Sequence, residues 1–404
     1  MFRKLTKTFI ILTGILAILV VTLFAAMSVA NSPLYAWRVI TNFQSDTGDI
    51  RLFPERPIAN GETISPLPVE PSAILETVTY PYHGAPRTEN LQELLRRTRS
   101  AAFMVIRDDK IIYQVYHGSE YAAPNTSFSV AKSFDSALIG AAIADGYIGS
   151  VDDPVIRYIP EIAGRGLDAL TIRNLLQMDS GIAYHSDSEI PFYRLPFGDD
   201  AFTYYSPDMR KIALSVRLGK TPIGAAFHYN NYHPLLEGLI LERATGMQVA
   251  EYLQERIWKP MGAEFPASWS QDSVASGFEK MESGINARAV DFARFGLLFL
   301  HNGLYNGRQI LPPEWVIEST RPLDPDSRVW GVRPSWPEAG GYYKYHWWGL
   351  KNPAETYDFM AQGHLGQIIY VAPRKNMVVV RFGPEPDSGV IWSFVIQSLI
   401  NQMP

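Results

Sequence analysis

The chain of 404 residues contains no cysteine. That excludes disulfides, a thiolate nucleophile and any cysteine-bound metal. In an exported protein it also excludes a lipid-modified N-terminal cysteine. Histidine is scarce, with eight residues and neither an H-E-x-x-H nor a paired metal spacing, so no metal and no cofactor are expected. Positive charge is thin: 36 lysines and arginines face 41 acidic residues, a formal net charge of −5. No basic block occurs after the first residues, and nucleic acid is not an expected partner. Internal repeats and low-complexity tracts are missing too. What remains is a globular composition, 47% hydrophobic, with core enough for one large or two smaller domains.

One segment lacks charge altogether. Residues 8–30, "TFIILTGILAILVVTLFAAMSVA", follow a short n-region, 1–7, that carries Arg3, Lys4 and Lys7. As a helix at ~1.5 Å per residue this run reaches about 34 Å, enough to cross a bilayer. The positive end should stay in the cytoplasm. Residues 8–30 are therefore expected to be a transmembrane signal anchor, with the rest of the chain periplasmic or extracellular. The alternative is a secreted protein cleaved after Ala30, where Ser28-Val29-Ala30 suits a signal peptidase. The apolar run is longer than such peptides usually carry.

Residues 31–87 read as an extended lead-in, because "FPERPIANGETISPLPVEP" is rich in proline. A short helix is expected around 89–97, with Leu91, Leu94 and Leu95 on one face. "AAFMVIRD" and "KIIYQVYHG" read as a hairpin turning at Asp108-Asp109; "GQIIYVAP" and "NMVVVRFG" read as another turning at Arg374-Lys375. The last segment, "GVIWSFVIQSLINQ", reads as a helix. Strands at both ends must meet in one sheet. Residues 150–300 read as mostly helical, with Gly246 and Gly303 where C-caps belong. The expected fold is α/β: an antiparallel sheet flanked by terminal helices, with an inserted helical region, over residues 88–402.

"TSFSVAKSFDSALIGAAIADGYIG" contains Ser129-Val130-Ala131-Lys132. No other serine in the chain has a lysine three residues on. The segment is apolar nearly all round, so its helix should be buried. Lysine is rarely interior without a partner. Positions i and i+3 share a face, so Ser129 Oγ and Lys132 Nζ can meet. A serine in the first turn also has a backbone N–H that the helix leaves free. Such a pair reads as nucleophile and base; the plainer reading is a capping serine with a snorkelling lysine. Tyr229-Asn230-Asn231 precedes another strong helix, and on its own could be a core aromatic and a cap. "FMAQGHLGQIIYVAP" is a glycine-rich entry to a strand, where a ligand can approach the backbone closely.

In this order, S-x-x-K, Y-x-N and a glycine-rich strand entry resemble the serine β-lactamase-like superfamily of class C β-lactamases, D,D-peptidases and esterases. "LTIRNLLQMDSGI" and "SGINARAVDFARFGLLFLHNGLYNGRQILPPEWV" resemble it further. "FHYNNYHPLLEGLILERATGMQVAEYLQERIWKPMGAE" looks most like the branch of 6-aminohexanoate-dimer (nylon-oligomer) hydrolases and related esterases. The resemblance implies Ser129 as nucleophile, Lys132 as base and Tyr229 as the group that returns a proton, with Asn231 supporting. The K-T-G motif of this superfamily is absent. Counting back from Pro373 puts Ala361-Gln362-Gly363 in its place. The oxyanion donors are then the N–H groups of Ser129 and His364; in the other register Gln367 replaces His364. Tyr184, His185 and Gly363 are candidate pocket residues, with Asp187 in the same loop. Trp347-Trp348 reads as a sheet-face pair before it reads as pocket wall.

The expected function is a membrane-anchored, exported serine hydrolase acting on a small ester or linear amide. The enzymatic alternative is a cell-wall D,D-peptidase or β-lactamase. The alternative of another class is a catalytically silent ligand-binding relative. The oligomeric state is not legible.

Overall fold

The alternation of side chains along the two hairpins dictates a sheet with two buried faces, and the computed structural model has one. The structure describes residues 2–403 except 73–75, 119, 120, 122, 324, 331–334, 354, 355, 385, 386 and 388. Seven strands pair in the order 341–344, 347–351, 357–363, 367–372, 377–382, 102–107, 110–116, every neighbour antiparallel. The closing contact joins the two ends of the chain: Met377–Phe382 lies against Ala102–Arg107. Asp108 and Asp109 both take positive φ, as a tight two-residue hairpin requires.

Successive residues of Met377–Phe382 face opposite cores. Val378, Val380 and Phe382 join a cluster with Phe292 and Phe295 of helix Ala289–Leu300. Met377 and Val379 join Val395, Ile396 and Leu399 of helix Trp392–Gln402, with Leu91, Leu94 and Leu95 of helix Leu91–Arg97. This is the period-two pattern of a strand buried on both faces. The first cluster also takes in helix Ala131–Ala144, which carries Lys132, and helix Tyr232–Thr245, which follows Tyr229.

The inserted region is helical in its main supports but joined by long irregular loops. Gly246 caps its helix in the left-handed region, its N–H on Glu242 O at 2.9 Å. Gly303 also has positive φ and closes onto Leu298 O at 2.8 Å, two residues beyond the cap of its helix.

Residues 31–87 differ from the extended reading. Pro33–Asn42 is a helix capped by Ser32, Glu55–Ile58 pairs with Ala267–Ser270, and Thr77–Tyr82 forms a hairpin with Ala85–Asn90. Pro33 sits in the first turn, the one helical place where its missing N–H costs nothing. The short strand Glu55–Ile58 depends on a partner some two hundred residues away, which local composition does not reveal. Helix Phe2–Ala30 precedes all of this, with an apolar span over Leu5–Ala30.

Candidate active site

Ser129 stands where a strand is forced abruptly into a helix. Asn125–Thr126 pairs with Ile285–Ala287, a single 3-10 turn follows at Phe128–Val130, and helix Ala131–Ala144 begins at once. Phe128 has a φ of 44°, a costly conformation for a bulky side chain. The sharp turn exposes Ser129 in part while Val130 and Lys132 go inside.

Lys132 is 1% exposed and has two hydrogen-bond partners. Its Nζ donates to Ser129 Oγ at 3.0 Å and to the backbone oxygen of Glu282 at 2.9 Å. It lies 5.1 Å from the ring centre of Tyr229. Tyr229 in turn stacks on Trp348 and meets Tyr343 edge-on. The structure thus brings Ser129, Lys132 and Tyr229 together. The neighbouring serines are differently engaged. Ser127 Oγ bonds to Phe128 O and Ser283 O, and Ser133 Oγ donates to His346 O.

The glycine-rich strand entry meets the same turn. A side chain on Gly363 would come within 2.4 Å of Ser127 O, so only glycine allows this approach. The His364 ring lies edge-on to Phe128 at 5.5 Å. Leu365 and Gly366 then turn back with positive φ. Gln367, the donor of the other register, is already engaged. Its N–H is used on His364 O, and its buried side chain bonds to Gly383 O and N. Arg381, also buried, holds Leu365 O and Gly383 O, which fastens the turn from behind.

Asn231 takes a different place from the one expected. Its Nδ2 donates to Tyr184 Oη at 3.1 Å and Asp200 Oδ1 at 3.3 Å, and it makes no side-chain cap. Tyr184 is buried and bonded to Asp200, while Tyr232 is bonded to Asp199 at 2.6 Å. Burial and the Asp200 carboxylate hold the Tyr184 phenol well above its ordinary range. Burial beside Asp200 pushes Asp187 up to about 6. His185 is not a buried wall residue: its ring is exposed, and its backbone N–H anchors Asp199 at 2.7 Å. Trp347 and Trp348 divide between the two faces of the sheet; Trp347 packs on Phe299, and Trp348 backs Tyr229.

Behind Lys132 lies a cluster that no local spacing announces. Asp135, Glu237 and His346 come from three distant segments and are wholly buried. His346 shares a hydrogen bond of 2.6 Å with Glu237, and its other ring nitrogen meets Tyr343 Oη at 3.0 Å. Burial pushes both carboxyl groups up, Glu237 to about 8. Side-chain atoms of the three lie within 4.8 Å of one another, close enough in principle to hold a metal ion. Both oxygens of Asp135 and Oε1 of Glu237 lack a hydrogen-bond donor among the described residues, and both acids lie within electrostatic reach of Lys132. Asp135 is the one member that its sequence position beside the S-x-x-K could have flagged.

A seven-stranded antiparallel sheet with a serine–lysine pair at the head of a buried helix defines a serine hydrolase of the β-lactamase and transpeptidase fold. The chain belongs to the Beta-lactamase family, whose profile matches residues 88–383. It is 28% identical over 342 residues to the 6-aminohexanoate-dimer hydrolase of Paenarthrobacter ureafaciens, covering 80% of this chain and 81% of that one. A Bacillus anthracis structure provisionally assigned as a 6-aminohexanoate-dimer hydrolase superposes with a TM-score of 0.74 at 24% identity, over 88% of this chain and 93% of that one. A D-stereospecific amidohydrolase from Streptomyces sp. superposes with a TM-score of 0.54 at 17% identity, over 76% of this chain and 95% of that one.

The Glu237 carboxyl yields a stability test. Its folded value is raised above the ordinary 4.5, so the folded chain holds a proton that the unfolded chain releases. Its stabilisation is full below about pH 4.5 and is lost as pH rises toward 8, at up to about 1.4 kcal/mol per pH unit. Glu237→Gln should flatten the fall in stability between pH 5 and 8, read by denaturant titration at several pH values. An unchanged slope would show that this carboxyl titrates normally.

Proposed function

We propose that the protein is a membrane-anchored, exported serine hydrolase that cleaves small esters or linear amides through an acyl-enzyme on Ser129. The observation that carries this is the 3.0 Å contact between Ser129 Oγ and the buried Lys132 Nζ. Lys132 takes the hydroxyl proton as Ser129 attacks the carbonyl carbon. Tyr229, against the same amine, passes a proton to the leaving group. Phenol and amine act as a coupled pair. The N–H groups of Ser129 and His364 hold the oxyanion, each worth about 3–4 kcal/mol in the transition state. Water then releases the acyl group.

Two features favour a small ester or amide over a β-lactam or cell-wall peptide. The K-T-G lysine that would hold a substrate carboxylate is absent. Asp200 lies within electrostatic reach of His364, and its carboxylate opposes a second negative charge there. The similarity to 6-aminohexanoate-dimer hydrolases supports a linear amide as one substrate class, without fixing the acyl or leaving group.

A fluorophosphonate probe should form one adduct, on the peptide containing Ser129. Ser129→Ala should lose labelling and ester turnover together while staying folded, and Lys132→Ala should fall by about 10³-fold or more. Wild-type turnover by Ser129→Ala would end the assignment. Penicillin labelling of the same serine would move the reading to a D,D-peptidase.

The oxyanion role of His364 separates backbone from imidazole. His364→Ala keeps the N–H and should stay within about tenfold of wild type, whereas His364→Pro should lose about 10²–10³-fold in kcat. A large loss in the alanine variant would assign the work to the ring.

Export has its own test. A C-terminal reporter should be active only outside the cytoplasm, and N-terminal sequencing of the mature protein should begin before Asn31. A start at Asn31 would mean a cleaved leader; a cytoplasmic reporter would overturn export.

A further inference from the structure

The anchor helix does not stand clear of the domain. Its side chains are exposed from Leu5 to Leu23, then Phe24 and Ser28 become half-buried and Met27 fully so. Met27 packs with Tyr35, Ala36, Val39, Phe53 and Tyr205. Polar bonds reinforce the junction: Asn31 Nδ2 donates to Ser206 Oγ at 3.2 Å, Tyr35 Oη to Pro196 O at 2.7 Å and Arg38 to Tyr205 O at 3.1 Å. The domain therefore starts on the last turns of the anchor, with no flexible linker between them. From Leu5 to Leu23 the helix spans about 28 Å at ~1.5 Å per residue, close to the hydrocarbon thickness of a bilayer. Phe24–Ala30, and the loops packed on them, then lie at the level of the lipid headgroups.

Several apolar and aromatic side chains are exposed around this junction, interspersed with polar ones such as Thr41, Gln44 and Arg194. Helix Pro33–Asn42 and the residue after it expose Leu34, Trp37 and Phe43; Trp37 is 60% exposed. The turn Phe192–Phe197 exposes Phe192 at 77% and Tyr193 at 71%. Phe197 of the same turn packs on the Met27 cluster. Apolar groups gathered like this around a membrane exit point call for a covering partner, and tryptophan and tyrosine favour the membrane–water boundary.

We propose that this surface docks on the outer leaflet of the bilayer, with Trp37, Phe43, Phe192 and Tyr193 seated among the headgroups. The proposal rests on the anchor reading of residues 8–30. It has a consequence for the site, because the lipid-facing segments also build its wall. The turn at Phe192 leads into Asp199 and Asp200, which bond Tyr232, Tyr184 and Asn231. The segment after the anchor brings Asp46 and Asp49 within electrostatic reach of His364. The mouth of the site thus opens at the lipid surface, and an amphiphilic acyl substrate enters from there.

The absence of cysteine makes the test direct, since each introduced cysteine is unique. Full-length chains carrying Trp37→Cys, Phe192→Cys, Val21→Cys or Ile317→Cys are labelled with bimane and reconstituted into phosphatidylcholine vesicles containing doxyl-lipid quenchers. Labels at positions 37, 192 and 21 should be quenched severalfold more than the label at 317. A quenched label at 21 with unquenched labels at 37 and 192 would overturn the docking surface and leave the anchor standing. An unquenched label at 21 would overturn the anchor and the docking surface together. In the same vesicles, Phe192→Ser with Tyr193→Ser should raise KM severalfold for a long-chain p-nitrophenyl ester. It should leave turnover of p-nitrophenyl acetate unchanged. Equal effects on both esters would overturn entry from the lipid surface, while loss of acetate turnover in Ser129→Ala tests the hydrolase separately.

Discussion

Everything in the candidate site is arranged around one amine that has been taken out of water. Lys132 sits at 1% exposure in a mostly apolar helix that also buries Ser133, Asp135 and Ser136. An ammonium there is costly unless its donors are used. Its donors reach Ser129 Oγ and Glu282 O, and the Tyr229 ring covers it. Holding that geometry requires the strained backbone at Phe128, the glycine at Gly363 that lets a strand lie against Ser127, and the partner strand Ile285–Ala287. The core elements that pack on both faces of the sheet provide the rigidity that such strain requires.

The polar chain behind the lysine is the second constraint. Asp135, Glu237, His346 and Tyr343 lead from the back of helix Ala131–Ala144 to the ring system around Tyr229. Buried networks of this kind are costly when half satisfied and rigidifying when complete. Burial pushes both carboxyl groups of this chain up, and both lie within electrostatic reach of Lys132.

A third feature is the economy of the wall. The segment from Tyr184 to Tyr205 reaches the site through Tyr184, Asp199 and Asp200 and reaches residues 35–49 through Pro196, Tyr204 and Tyr205. One segment therefore connects the N-terminal helix junction with the candidate site. Asn231 belongs to the same arrangement, bonding this segment through Tyr184 and Asp200.

Local pattern was enough to read the hairpins, the terminal helices, the apolar N-terminal helix and the S-x-x-K pair. Each depends on spacing within a dozen or so residues: alternation for Met377–Phe382, an i to i+3 step for Ser129 and Lys132, an uncharged run for residues 8–30. The meeting of the first and last hairpins was legible too, because unpaired strand edges must find partners. Sequence order could not reveal contacts whose partners lie far apart. The proline-rich lead-in folded into a helix, a strand and a hairpin because Ala267–Ser270 and the C-terminal helix gave it surfaces to pair with. The cluster of Asp135, Glu237 and His346 exists only once three segments are packed into one core. The engagement of the Gln367 N–H by His364 O could not be read from spacing either, because it is closed by a turn whose left-handed residues are specified by the whole sheet edge. The amino-acid sequence alone determined which chemistry was present; tertiary packing decided which groups face it, because burial and long-range hydrogen bonds are properties of neighbours in space.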